Sequence, residues 1–190
     1  MRICEYQQLA MRTSPDGHDR VMNGCLGLIG ESGEIVDLVK KWKFQSGDNQ
    51  PVPKDKLIEE CGDVLWYCAE LATGLCDSMC SLYERLEEIF YNDMHPINFE
   101  SSLPSLAVRL MYVALHPFNE LHDTELTEEP SDWMITHAKC NIVGIMVMVR
   151  DILELYCGST LEEAMERNIE KLKRRYPDGF DPEKSQHRTE

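Results

Sequence analysis

The sequence predicts an all-α fold, a bundle of long amphipathic helices. Apolar residues recur at helical spacing along most of the chain, while β-branched runs with period-two alternation are scarce. The helical stretches are punctuated by segments rich in Pro, Gly, Asn and Asp, which read as loops.

The elements follow in order. An opening helix is predicted over residues 4–13 and a second over 20–42, offering Leu26, Ile29, Val36, Leu38 and Val39 to the core. The run FQSGDNQPVPK, residues 44–54, holds Gly, Asn, Asp and two prolines and is a loop. Helices are then expected over 56–73 and 78–91, with a polar connector over 92–103 that carries Pro96. Two further helices, 105–115 and 133–156, flank the acidic loop HDTELTEEPSD, residues 122–132. The last helix is expected to start at Ser159, with Glu162 three residues on completing a capping box, and to stop at Tyr176-Pro177. The remainder is a turn-rich tail.

A faint internal echo links GLCDSMCSLYERL, from Gly74, with LYCGSTLEEAMERN, from Leu155, each following a long apolar helix. Two readings stand. The chain is either two related helical units fused in tandem, or it holds two amphipathic helices alike by chance. On the tandem reading, residues 1–190 form a single domain. Residues 1–91 are then the active unit, and 103–178 a degenerate second unit plus the C-terminal helix.

Composition narrows the function classes. With 34 acidic against 19 basic residues the formal charge is −15, which disfavours a nucleic acid polymer, whose affinity rests on phosphate neutralisation. A small phosphorylated ligand remains compatible, because a bound divalent cation inverts the local field. No apolar run approaches the roughly 20 residues of a membrane helix, and the N-terminus lacks a signal-like apolar stretch. A soluble, cytoplasmic protein without a membrane partner is expected. The 8 cysteines form no C-x-x-C pair and are expected to be reduced core residues. The 6 histidines are scattered without partner spacing, and neither a phosphate-binding glycine loop nor a nucleophile elbow is present.

The chemistry-bearing pattern is acidic. Glu31 and Glu34 stand at i, i+3 in GLIGESGEIVDLVKKW, and Glu60 and Asp63 repeat the spacing in EECGDVLWY on the next long helix. Each pair lies on one helical face, and Gly30, Gly33 and Gly62 are expected to let the backbones approach. Four clustered carboxylates repel one another unless a cation sits between them, and oxygen-only donors select Mg²⁺ or Mn²⁺. In so acidic a chain one E-x-x-E is a weak signal, and a solvated helix face explains it equally well. Two such pairs on consecutive helices, beside Trp42, Trp66 and Tyr67, are a stronger one.

Glu31-x-x-Glu34 followed after 25 residues by Glu60-x-x-Asp63 resembles the signature of the MazG-like, all-α nucleoside triphosphate pyrophosphohydrolase superfamily. The opening EYQQLAMRT, the run ECGDVLWYCAELA and the tail NIEKLKRRYPDGFDPEKSQHR are similar to the compact members. The likeness covers residues 5–76 and 157–188. The chain departs from those members in the segment 76–157. There Lys139 and Asn141 stand near the positions where the tandem reading would place a second acidic pair. Some relatives, the all-α dUTPases among them, carry degenerate helical units, so the resemblance implies a covalent pseudo-dimer with one site per chain and leaves a homodimer open.

The resemblance further implies hydrolysis of an NTP or dNTP to the monophosphate and pyrophosphate. Glu31, Glu34, Glu60 and Asp63 would hold Mg²⁺, with Mn²⁺ as a substitute, and Glu31 or Glu34 would accept the proton of water. Asn168, Lys171, Arg175 and Tyr176 would contact the nucleotide, with Trp42 and Tyr67 near the base. Lys173 and Arg174 are better read as complementing the C-terminal helix dipole. Two other readings stay open: a dedicated dUTPase, dCTPase or modified-nucleotide hydrolase of the same fold, and a nucleotide-binding regulator without turnover.

Overall fold

The computed structural model describes residues 1–46, 50–89, 102–121 and 130–181. Among these, seven α-helices and no strand are present. Helix α1, Ile3–Ala10, buries Tyr6 and Ala10 and tightens into a 3-10 turn over Met11–Thr13. Asp19 starts α2, Arg20–Gln45, by accepting the backbone N–H groups of Val21 and Met22 at 3.0 Å. Helices α3, Lys54–Gly74, and α4, Met79–Ile89, follow. Helix α5 spans Leu103–Leu121. Helix α6, Asp132–Ile152, is capped by Ser131 and runs on through a π turn, Leu153–Cys157. Helix α7, Leu161–Arg175, closes the bundle.

The core is built from two hairpins. Helix α2 packs against α3 on one side and α5 on the other, and α6 lies against both α5 and α3. Helix α7 rests on α3 and α1. Sandwiched in this way, α2 buries Gly24, Cys25, Leu28, Ser32, Ile35 and Val39, one stripe at i, i+4 and i, i+3 steps. Leu26, expected in the core, falls off that stripe and is 55% exposed, while Ile29, Val36 and Leu38 lie at its margins.

Close approach of α2 and α3 depends on other glycines than expected. A Cβ at Gly24 would sit 2.8 Å from the Leu71 Cβ, and one at Gly27 would sit 2.1 Å from the Tyr67 ring. Gly30 and Gly33 have nothing within 4 Å of that position, so they do not set the spacing. Gly62 does act as expected, but toward α7: its Cβ would meet the Asn168 Cβ at 3.1 Å.

Boundaries differ from the sequence expectation at α5 and at α7. Helix α5 continues past 115 through Pro117, whose ring costs one intrahelical hydrogen bond but is buried in the core with Leu121. The cap of α7 is Thr160, not Ser159: the Thr160 hydroxyl accepts the Glu163 N–H at 3.2 Å. Ser159 instead donates its hydroxyl to the Glu163 carboxylate at 2.8 Å, so the cap lies one residue later. The predicted connector and acidic loop lie largely outside the described residues. All eight cysteines are free. Only Cys25, Cys61, Cys68 and Cys157 are buried as expected, Cys76 being exposed and the others half-buried.

Candidate active site

The i, i+3 pairs meet where α2 crosses α3. Glu31, Glu60 and Asp63 each offer a carboxylate oxygen, and the three oxygens lie within 4.8 Å of one another. Glu34 stands one turn along α2, exposed to solvent, and is outside this three-oxygen group although its charge acts on Glu31 and Glu60. Burial, then the charges of Asp63, Glu34 and Glu60, push the Glu31 carboxyl up to about 7. Burial and then the Asp63 charge raise Glu60 as well. Burial also raises Asp63, against the pull of Lys171.

Helix α7 supplies the opposing groups. The Lys171 ammonium donates to Asp63 Oδ2 and lies 3.1 Å from Glu59 Oε1. Burial alone would lower Lys171, but Asp63 and Glu59 outweigh it and hold the amine charged. Asn168 is 3% exposed and donates its amide to Asp63 Oδ1 at 2.9 Å. Arg175, exposed at the end of α7, lowers both Glu59 and Asp63 by its charge. Lys56 reaches within 3.8 Å of Glu60 Oε1. Five carboxylates thus face three cations, Lys56, Lys171 and Arg175, leaving a net negative site.

The donor set suits a hard cation: all three converging atoms are carboxylate oxygens with neither sulfur nor imidazole among them. Burial first, and neighbouring negative charge second, raises their affinity for protons.

The aromatic candidates are placed differently. The Tyr67 ring covers Gly27 one turn beyond Asp63 and meets Trp66 edge-on at 4.8 Å between centroids. Trp42 donates its indole N–H to the Gln50 carbonyl at 2.9 Å, tying α2 to the residues just before α3. Tyr176 is buried in a cleft with Leu9, Arg12 and Thr13 of the α1 end, and packs on Phe180 at 5.8 Å.

Two polar clusters lie outside the candidate site residues singled out in the sequence. Glu70, fully buried two turns beyond Asp63, accepts hydrogen bonds from Ser14 at 3.0 Å, Arg20 at 3.0 Å and Asn23 at 3.3 Å, and pairs with His18. Glu120 on α5 gathers His116, His137 and Asn141, so two histidines without sequence spacing share one carboxylate. The i, i+4 relation of His116 to Glu120 was readable; their meeting with α6 was not.

The acidic crossing of α2 and α3 falls inside a matched family region: residues 23–97 match the family model of the MazG nucleotide pyrophosphohydrolase domain. This stretch of the chain is MazG-like. A 51-residue stretch is also 45% identical to Gene 37 protein of Mycobacterium phage L5. It covers 26% of this chain and 45% of the phage protein, so the match spans less than half of that relative. No solved structure matches the chain. The MazG-like region supplies Glu31, Glu34, Glu60 and Asp63, while Lys171 and Asn168 reach it from α7, beyond the matched residues. Among the described residues, no helix is long and apolar enough to cross a membrane.

Proposed function

We propose that the chain is a Mg²⁺-dependent nucleoside triphosphate pyrophosphohydrolase, cleaving a (d)NTP to the (d)NMP and pyrophosphate. The observation that carries this reading is the convergence of Glu31, Glu60 and Asp63 oxygens within a MazG-like region, faced by Lys171 from α7.

Glu31, Glu60 and Asp63 would hold the metal, with Glu34 completing its surroundings. A bound Mg²⁺ supplies charge neutralisation for the triphosphate and makes water easier to deprotonate. Of the two candidate bases, Glu34 is the better placed, because its carboxylate is exposed and outside the three-oxygen group. Lys171 and Arg175 would take phosphate oxygens. Lys171, already ion-paired with Asp63 and Glu59, is held where a phosphate can share its ammonium. Tyr67, one turn beyond Asp63 on α3, is the aromatic candidate for contact with the base, and Tyr176 would seat the end of α7 on α1.

We also read α5 and α6 as the degenerate second unit of a pseudo-dimer. Its support is pairwise packing: α2 lies on α5 and α3 on α6, as equivalent helices would across a two-fold axis. In α6, Lys139 pairs with Asp77 at 2.9 Å and Asn141 with Glu120, so neither rebuilds an acidic site.

The roles separate by mutation. Glu60→Gln is expected to lose both Mn²⁺ binding and turnover. Glu34→Gln is expected to keep Mn²⁺ binding while losing turnover by about 10²–10⁴-fold, the usual contribution of a general base. Titration of Mn²⁺ alongside pyrophosphate release measures both. Full turnover in Glu34→Gln would remove it as the base.

A further inference from the structure

We infer that Tyr6 is a positioning residue for the metal site, acting through Asn168 on the Asp63 carboxylate. The inference rests on the reading of Asp63 as a metal ligand.

Tyr6 lies on α1, far from the acidic pairs in sequence, and is 0% exposed. Its hydroxyl is 2.9 Å from Asn168 Oδ1 and 3.3 Å from the Gly62 carbonyl. Asn168 in turn stands 2.9 Å from Asp63 Oδ1. The direction of this chain is fixed by donor chemistry. An ionised carboxylate only accepts, so Asn168 must turn its NH₂ toward Asp63. The amide oxygen then faces Tyr6, which must donate its O–H to it. With that hydroxyl present, the flipped amide would set oxygen against carboxylate; without it, the amide oxygen is buried with no donor.

The chain is held from outside as well. Gly62 precedes Asp63, and the Asn168 Cβ lies 3.1 Å from where a Gly62 Cβ would be, so α7 sits directly on the backbone that carries the ligand. Asp63 Oδ1 is thereby anchored by a buried, neutral donor, while Oδ2 meets the Lys171 ammonium. Partners of this kind fix which oxygen of a ligating carboxylate points at an ion, and losing one commonly costs 10–100-fold in metal affinity.

The test is Mn²⁺ affinity in Tyr6→Phe, Asn168→Ala and the double variant, measured well below each unfolding temperature, with thermal unfolding recorded separately. Tyr6→Phe is expected to weaken Mn²⁺ binding by about tenfold or more. The double variant is expected to bind no more weakly than Asn168→Ala alone, because the hydroxyl acts only through the amide. A purely structural Tyr6 would lower the unfolding temperature without this non-additive loss of affinity. Should Tyr6→Phe fail to fold, Asn168→Ala decides: unchanged Mn²⁺ affinity there overturns the inference. Wild-type affinity in Tyr6→Phe, or losses that multiply in the double variant, overturn it while leaving the metal site intact. A wild type that binds no Mn²⁺ overturns both the inference and the site.

Discussion

Glu31 is the carboxyl of the group raised furthest, and on the proposed metal reading it leads the pH response of the site. Burial and its acidic neighbours lift its carboxyl from an ordinary 4.5 to about 7, and only the ionised form holds a cation. Between about pH 6 and pH 8 its ionised fraction rises about tenfold, so Mn²⁺ binding is expected to tighten by about that factor. The stability effect has the opposite sign. The folded chain retains a proton that the unfolded chain has released between 4.5 and about 7. The metal-free protein therefore loses stability as pH rises through that window, and a divalent cation restores it. Thermal unfolding at both ends of the window, with and without Mg²⁺, measures this; Glu31→Gln is expected to abolish the metal effect and flatten the slope.

At the same scale, what the sequence made legible depended on spacing. The i, i+3 spacing puts Glu31 with Glu34, and Glu60 with Asp63, on one helical face each, which singles these residues out in the sequence. Lys171 and Asn168 entered through the family resemblance, but their docking on Asp63 is tertiary. Glu70 gave no signal, and Tyr6 entered only as part of the run EYQQLAMRT. A buried carboxylate looks like any other acid in a chain with 34 of them, and a buried tyrosine looks like core.

Among the elements, the α2–α3 crossing is the most sensitive. Gly27→Ala would drive a methyl into the Tyr67 ring and is expected to cost about 1–3 kcal/mol. Gly30→Ala, with open space around it, is expected to gain about 0.5–1 kcal/mol from helix propensity. Urea unfolding of the two variants side by side distinguishes packing from propensity. At the start of α7, Thr160→Ala is expected to cost about 1 kcal/mol, more than Ser159→Ala, because the cap belongs to Thr160. Helix existence was readable throughout from periodicity. The ends were less so: a serine and a threonine side by side both satisfy a capping pattern, and α5 runs on past 115 through a buried proline.

For the molecule as a whole, stability and function divide along different polar clusters. Glu70 ties the segment holding Ser14, His18 and Arg20 to α3. Glu70→Ala is expected to cost about 3–5 kcal/mol in denaturant unfolding, because it strands the Arg20 charge in a half-buried setting. The acidic crossing behaves oppositely. Its repulsion opposes folding of the metal-free chain, and positive charge relieves it. The all-α class followed from periodicity. Which glycines set the helix spacing, and how α1 and α7 close over Asp63, are properties of the assembled bundle.

The central claim is that this assembly splits a nucleotide between its α- and β-phosphates. Its most direct test is product analysis from all NTPs and dNTPs with Mg²⁺, comparing wild type with Asp63→Asn. The expected result is monophosphate and pyrophosphate from at least one nucleotide, falling at least about 10²-fold in Asp63→Asn. One strongly preferred base would mark a dedicated enzyme. Undiminished activity in Asp63→Asn, release of inorganic phosphate instead of pyrophosphate, or no hydrolysis of any nucleotide would contradict it.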